Sequence, residues 1–405
     1  MIRTNDLRAF AGAFRLQRAG IIYALILLII VFQILTSAYG LPAFTTVANL
    51  RNLFDQTALD GVLVISMTTL LITGNFDLSI GATAGLAGAT ALIVANTTNQ
   101  IFGGLAALGV GIGIGLINGL IVQLVGINAF IVTLGTLTAV QGFLLIATSD
   151  KTVLARHAAF QSFGIQNWTL PQPVAIILGI ALLAYSMYLT FKVFKQTSVV
   201  IEQIGIAITS FMFGLILLAI GTAFTGLLTE TTETWIMIAY MAVAGAIMRY
   251  TVIGRRLYAT GGNPEAARLS GININVYKIA PFVVCSMSAG LAGLMYAGKF
   301  GAVTPTSLVN EELPVLAAAI LGGTSLFGGS GYIVKSVIGA LILSTLVDGF
   351  NLLNLNANYQ YVIQGAVIIG AATIYTVGMY RRRVSKRKLH EAEAKAVTLE
   401  NIRQR

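Results

Sequence analysis

The chain has 405 residues, of which 56% are hydrophobic and only 10% charged, with a mean hydropathy of +0.84. Soluble domains carry roughly 25% charged residues, so this composition excludes a water-soluble globular protein and predicts an all-α, polytopic membrane bundle. One cysteine, Cys285, excludes an internal disulfide framework, and two histidines exclude a histidine-rich metal site. The net charge of +10 gathers at the termini and in a few loops, so membrane topology accounts for it better than nucleic acid does.

Residues 1–18 form a tail with Arg3, Arg8, Arg15 and Arg18 against Asp6, followed by an apolar run over 19–35. The long charged flank and the poor cleavage site at Thr36-Ser37-Ala38-Tyr39-Gly40 favour an uncleaved first span over a signal peptide. Further apolar segments cover 59–73, 80–94, 102–125, 128–147, 174–190, 205–224, 235–248, 279–297, 313–326, 333–347 and 361–377. Several are shorter than the ~17–25 residues of a perpendicular span, so about ten to twelve crossings are expected, with some half-helices among the candidates. The expected organisation is a single transmembrane domain over 19–379 between cytoplasmic tails 1–18 and 380–405, with a cytoplasmic loop over 249–278.

Alternating the spans from a cytoplasmic N-terminus places Lys192, Lys195, Arg249, Arg255, Arg256, Arg268, Lys278 and the tail from Arg381 inside. Glu230, Glu233, Glu311 and Glu312 fall outside, with Arg51, Lys151, Arg156 and Lys299 as the few basic residues there. This satisfies the positive-inside rule and puts both termini in the cytoplasm. Gly111, Gly115 and Gly119 share one helix face, as do Gly81 and Gly85, and Gly290 and Gly293 stand three apart; such small residues let helices pack closely in lipid. Leu70 to Gly81 and Leu321 to Gly329 have the same layout, span, glycine-rich polar turn, span, in the same orientation, as in a weak parallel repeat.

The cytoplasmic loop contains Gly261-Gly262-Asn263-Pro264-Glu265-Ala266-Ala267-Arg268-Leu269-Ser270-Gly271. Asn263 is a good N-cap and Pro264 suits the first helical position. Glu265 and Arg268 complement the helix dipole, and Gly271 can close the helix in the left-handed conformation. A helix of about two turns cannot hold itself in water, so it must dock on something.

Asp77 lies in Gly74-Asn75-Phe76-Asp77-Leu78-Ser79, which interrupts the apolar pattern. An acid at membrane depth caps a helix, lines water or finds partners. Asp77 therefore reads as the N-cap of a span starting near Leu78, or as part of a break lining the inner pathway, and both can hold. Asn118, Thr133, Thr136 and Gln141, with Asn75 and Ser79, could contact an uncharged polar substrate; each alone is more often an interhelical hydrogen bond. Enzyme signals are absent. Gly331-Tyr332-Ile333-Val334-Lys335-Ser336 lacks the glycine before lysine of a phosphate loop, and neither a His-Glu-x-x-His motif nor a nucleophile elbow in a hydrolase context occurs. The chain is not expected to bind a cofactor or metal or to hydrolyse ATP by itself.

Four stretches in order resemble one family. Gly74 to Gly81 resembles its Gly-x-x-Asp-Leu-Ser-x-Gly signature, Ala129-Phe130-Ile131-Val132-Thr133-Leu134-Gly135 its second motif, Tyr258 to Asn273 its cytoplasmic signature, and Leu321 to Gly331 its late glycine-rich turn. These are the bacterial ABC-importer permeases for monosaccharides, of the ribose, xylose and galactose type, with a type II-like fold. The resemblance implies that two copies of the chain form the pathway in the inner membrane. It implies that an ATPase below uses ATP and Mg, and that an extracytoplasmic binding protein delivers a small sugar. Residues Asn263, Pro264, Glu265, Ala266, Ala267, Arg268 and Gly271 would then form the coupling helix. Bulky residues at Glu265 or Ala267 would uncouple transport while leaving insertion intact. The long middle region, about 149–235, resembles xylose-type members and tilts the expected substrate toward xylose or another pentose. Phe76 departs from the small or branched residue usual in the family; it either narrows a cavity or packs. The same fold importing an autoinducer, inositol or a nucleoside remains an alternative, as does an ion-coupled secondary transporter.

Overall fold

The computed structural model describes residues 16–157, 160, 166–195 and 201–356, with scattered positions between 358 and 373. In a bilayer no water is available to the backbone, so each apolar run satisfies its own amides and carbonyls as a helix. The helices are α1 (Leu16–Ala38), α2 (Val47–Ile72), α3 (Ile80–Thr97), α4 (Gln100–Leu120), α5 (Ala129–Thr148), α6 (Gln172–Lys195) and α7 (Ile201–Thr222). After them come α8 (Thr232–Tyr250), α9 (Val252–Gly262), α10 (Pro264–Leu269), α11 (Ile274–Phe300), α12 (Glu312–Leu321) and α13 (Ile333–Leu352).

Eleven of the twelve apolar segments coincide with these helices; the twelfth, 361–377, lies largely outside the described residues, as do the tail 380–405 and most of residues 1–18. Among the described residues eight helices are long and apolar enough to cross a membrane, or nine if α8 and α9, bent by 73° against each other, form one span. The segment 313–326 yields only the ten-residue α12. At 1.5 Å per residue this is about 15 Å, half a bilayer core. The sequence pattern could not separate a half-span from a full one, because both are apolar.

Helix α2 stands at the centre, with 72% of its apolar window buried, whereas α1 is peripheral at 11%. Leu63, Leu70 and Leu71 of α2 pack in one core with Phe282 and Ala289 of α11, Ala318 of α12 and Leu343 of α13. The glycine faces do what the spacing predicts. A Cβ on Gly115 of α4 would lie 2.6 Å from the Phe282 carbonyl oxygen, and one on Gly88 of α3 would lie 2.7 Å from the Gly293 carbonyl oxygen of α11. Helices α6 and α7, from the long middle region, pack on each other where Gly179 meets Gly214.

One end of the bundle carries two small antiparallel pairs. Strands β1 (Val153–Leu154) and β4 (Ala302–Val303) pair Val153 with Val303, and β2 (Asn167–Thr169) and β3 (Thr229–Thr231) pair Trp168 with Glu230. Here Lys299 contacts Asp55 at 2.6 Å and Glu233 at 3.5 Å. Glu312, which the charge map sets on the outer side, is buried in the bundle. The segment before α12 dips into the bundle, so that a Cβ on Gly81 would meet the Leu308 carbonyl oxygen at 2.5 Å and Glu312 Oε2 at 3.0 Å. Left-handed Leu308 (φ 60°) and Asn310 (φ 71°) shape that dip.

The repeat suggested by sequence takes the form of two broken hairpins, α2 to α3 and α12 to α13. Their turns each contain a left-handed glycine, Gly74 (φ 83°) and Gly323 (φ 85°). The two turns touch: the Gly329 amide donates to the Ile72 carbonyl at 2.8 Å. The first arms are unequal, 26 residues in α2 against 10 in α12.

Candidate functional site

Two regions gather the polar residues singled out in the sequence. In the first, the break after α2 delivers Asp77 into the bundle, fully buried. Its Oδ1 accepts from the Ser79 amide at 2.8 Å and the Ser79 hydroxyl at 2.5 Å; its Oδ2 accepts from the Ser286 hydroxyl of α11 at 2.9 Å. The chain continues outward. Asn118 Nδ2 of α4 donates to Ser79 Oγ at 3.1 Å, and Thr136 of α5 donates to Asn118 Oδ1 at 2.6 Å. Four helices are thus tied together by one line, Thr136–Asn118–Ser79–Asp77–Ser286.

Asp77 is not the helix cap. Helix α3 starts at Ile80 with Ser79 in the capping position, and Asp77 holds the Ser79 amide two residues on, as an Asx turn does. The acid therefore fixes the irregular backbone before the helix and reaches across to α11. The remaining candidates lie outside this line. Asn75 is buried in the break with its Nδ2 unpartnered. Thr133 bonds back to the Ala129 carbonyl at 2.8 Å, and Gln141 sits half-buried farther along α5. Phe76 packs edge-on against Phe130 of α5, with centroids 6.4 Å apart. Ser286 is the member that sequence reasoning missed: it is one of two serines, with Ser288, in a long apolar run, and nothing there signals the acid it faces.

The second region is the short helix α10. The Asn263 side chain accepts from the Ala266 amide at 3.0 Å, Pro264 occupies the first position, and Gly271 is left-handed (φ 80°). Glu265 lies in the first turn and Arg268 in the last, as the dipole favours. The helix has a covered and an open side. Ala267 is buried against the chain itself, whereas Glu265, Ala266, Arg268 and Leu269 are exposed, Leu269 by 84%. A bulky residue at Ala267 would therefore strike the chain's own packing, so the clean positions for testing a partner are Glu265 and Ala266. Leu269 is a further residue that sequence reasoning passed over, because an apolar residue in a helix ordinarily faces inward.

Helix α9 leads into α10 without a linker, since Asn263 is both the C-cap of one and the N-cap of the other. Arg249, Arg255, Arg256, Arg268 and Lys278 belong to these helices and their neighbours, at the end of the bundle where the two broken turns meet. Among the described residues no group of three His, Cys, Asp or Glu side chains converges on a metal position.

The chain is thus a multi-pass helical bundle with a buried polar tie between its helices and an open short helix at one end. Compared with known families, residues 49–372 match the one described as branched-chain amino acid transport system / permease component. The chain is 31% identical over 368 residues to the ribose import permease protein RbsC of Escherichia coli K12, covering 91% of this chain and 96% of that protein. It is 32% identical over 346 residues to the xylose transport system permease protein XylH of the same organism, covering 81% and 84% respectively. The Haemophilus influenzae ribose import permease is 30% identical over 361 residues, 89% of this chain and 93% of the relative. No solved structure matches the chain.

The chain belongs to this permease family. It is the membrane subunit of an ABC importer of the ribose- and xylose-permease type, a multi-pass protein of the bacterial inner membrane and not an enzyme. Membership implies an ATPase and a substrate-binding protein as partners. The tilt toward xylose drawn from the long middle region is not supported, since ribose and xylose permeases are equally near.

Proposed function

We propose that the chain forms the membrane pathway of a monosaccharide importer that takes up a pentose, with ribose and xylose on an equal footing, delivered by an extracytoplasmic binding protein. Two copies make the pathway. The end carrying α9 and α10 faces the cytoplasm with both termini, and the clustering of Arg249, Arg255, Arg256, Arg268 and Lys278 there supports this orientation. ATP and Mg act on the partner ATPase, and this chain supplies the surface that receives its motion.

The observation that carries the reading is the open face of α10. A capped helix of six residues with Ala267 buried and Glu265, Ala266 and Leu269 exposed is a rigid knob awaiting a groove. A rigid-body displacement of the ATPase is transmitted by such a knob and dissipated by a floppy loop. The Thr136–Asn118–Ser79–Asp77–Ser286 line would hold the inner helices in one arrangement, with Asn75, Thr133 and Gln141 beside it as the polar groups offered to a sugar.

The test is an Ala266→Cys variant paired with single cysteines in the groove of the ATPase. A cross-link that forms only in the assembled complex supports the reading, and Leu269→Asp should weaken assembly. Absence of any cross-link across the groove sinks it. Screening the cognate binding protein against pentoses, inositol, nucleosides and autoinducers decides the cargo.

A further inference from the structure

The end of α9 meets both broken turns with no side chain between them. A Cβ on Gly261 would overlap the Ile72 carbonyl oxygen at the end of α2 and lie 2.9 Å from the Gly329 amide nitrogen. Gly328 is left-handed (φ 83°), and a Cβ there would lie 2.7 Å from the Gly261 carbonyl oxygen and 2.9 Å from the Gly74 amide nitrogen. The Gly329 amide donates to the Ile72 carbonyl at 2.8 Å, and the Tyr258 hydroxyl of α9 donates to the Gly331 carbonyl at 2.8 Å. Three main-chain segments therefore touch at one point and are fastened to each other by two hydrogen bonds.

We propose that Gly261, Gly74 and Gly328 form a junction through which movement of α10 enters both broken hairpins together. The proposal rests on α10 being the ATPase seat and names the positioning residues that act behind it. Helices α9 and α10 share Asn263, so they turn as one body. Side chains can change rotamer and absorb a displacement, but backbone against backbone at the contact limit has no such slack. A push on α10 is passed to Ile72 and Gly74 and so to Asp77, three residues beyond in the sequence, whose carboxylate is held by Ser79 and Ser286. The same push reaches Gly328 and Gly329 and so α13. The family signature of the Asp77 break and the late glycine-rich turn are thereby explained as two faces of one contact with the coupling segment.

The test uses the complete importer in liposomes, with spin labels at Arg255→Cys on α9 and Phe327→Cys on the late turn, both exposed, and the buried Cys285 left in place. A third label at Leu154→Cys in β1 serves as the reference at the opposite end. The junction predicts that ATP binding leaves the 255–327 distance unchanged and alters the 327–154 distance. A change in the 255–327 distance beyond about 2 Å, the scale of helix shifts at interfaces, overturns it. So does the absence of any change while the Ala266 cross-link to the ATPase persists; loss of that cross-link instead overturns the seat itself. In parallel, the importer carrying Gly261→Ala should hydrolyse ATP without uptake. Gly262→Ala, where the new Cβ would find Gly329 Cα at an ordinary 3.7 Å, should keep both. Wild-type uptake by Gly261→Ala contradicts the junction, and if that variant fails to insert, the label distances on the otherwise native chain decide.

Discussion

Asp77 and Ser286 stand 209 residues apart in sequence and share a hydrogen bond of 2.9 Å between two fully buried side chains. This bond joins the break of the first hairpin to the middle of α11, a helix separated from the coupling helix by four residues. The polar tie and the coupling segment are therefore joined through one continuous helix, which neither the charge map nor the motif spacing discloses.

Removing one partner of a buried acid strands the other. Ser286→Ala should lower stability by about 1–3 kcal/mol, because Asp77 Oδ2 loses its donor where water cannot replace it. Thr136→Val, at the half-exposed end of the line, should cost less, about 0.6 kcal/mol, as is average for interhelical hydrogen bonds in membranes. Denaturant unfolding of the purified protein in micelles ranks the two; equal costs would mean that the line is not anchored at Asp77.

The glycines of α4 differ in a way their sequence does not show. Gly115→Leu would force a side chain into the Phe282 carbonyl of α11 and should cost at least about 1–3 kcal/mol or prevent folding. Gly113→Leu, where a Cβ meets nothing within 4 Å, should insert and fold normally. Expression level and the elution profile in detergent separate them, and equal behaviour would refute the α4–α11 contact.

The antiparallel pair of β2 and β3 should respond to pH. Burial raises Glu230 from 4.5 to about 7, aided by the Asp55 carboxylate and opposed by Arg51, with Lys299 and Glu233 in the adjoining ion pair. An acid whose folded value is raised holds its proton more tightly when folded. Its stabilisation is thus complete below about 4.5 and lost as pH rises through about 7. Trp168 lies opposite Glu230 in the register, and Trp235 bonds to the Trp168 carbonyl at 3.0 Å, so the chain's two tryptophans report on this strand pair. Their fluorescence should shift with a midpoint near 7, and Glu230→Gln should flatten the curve. A shift that survives Glu230→Gln would assign the transition to another group.

Much of this architecture could be read from the residues. Apolar runs set the helices because lipid allows the backbone no other solution. Asn263, Pro264 and Gly271 drew α10 correctly because caps act locally, within one turn of chain. What escaped is what depends on distant neighbours. Ser286 gains its meaning only from Asp77, and Gly261 only from Ile72 and Gly328. Glu312 is buried beside Gly81 at the start of α3, a contact that the ten-residue apolar run after it does not disclose. Ala267 and Ala266 are identical in sequence terms, yet one is packed inward and the other is free for a partner.

The most direct test of the account is sugar uptake into liposomes containing the purified chain. Radiolabelled ribose or xylose should enter only when the cognate ATPase, ATP with Mg and the binding protein are all supplied, and Ala266→Trp should abolish that uptake while ATP hydrolysis continues. Uptake by the chain alone, with or without an ion gradient, would contradict it.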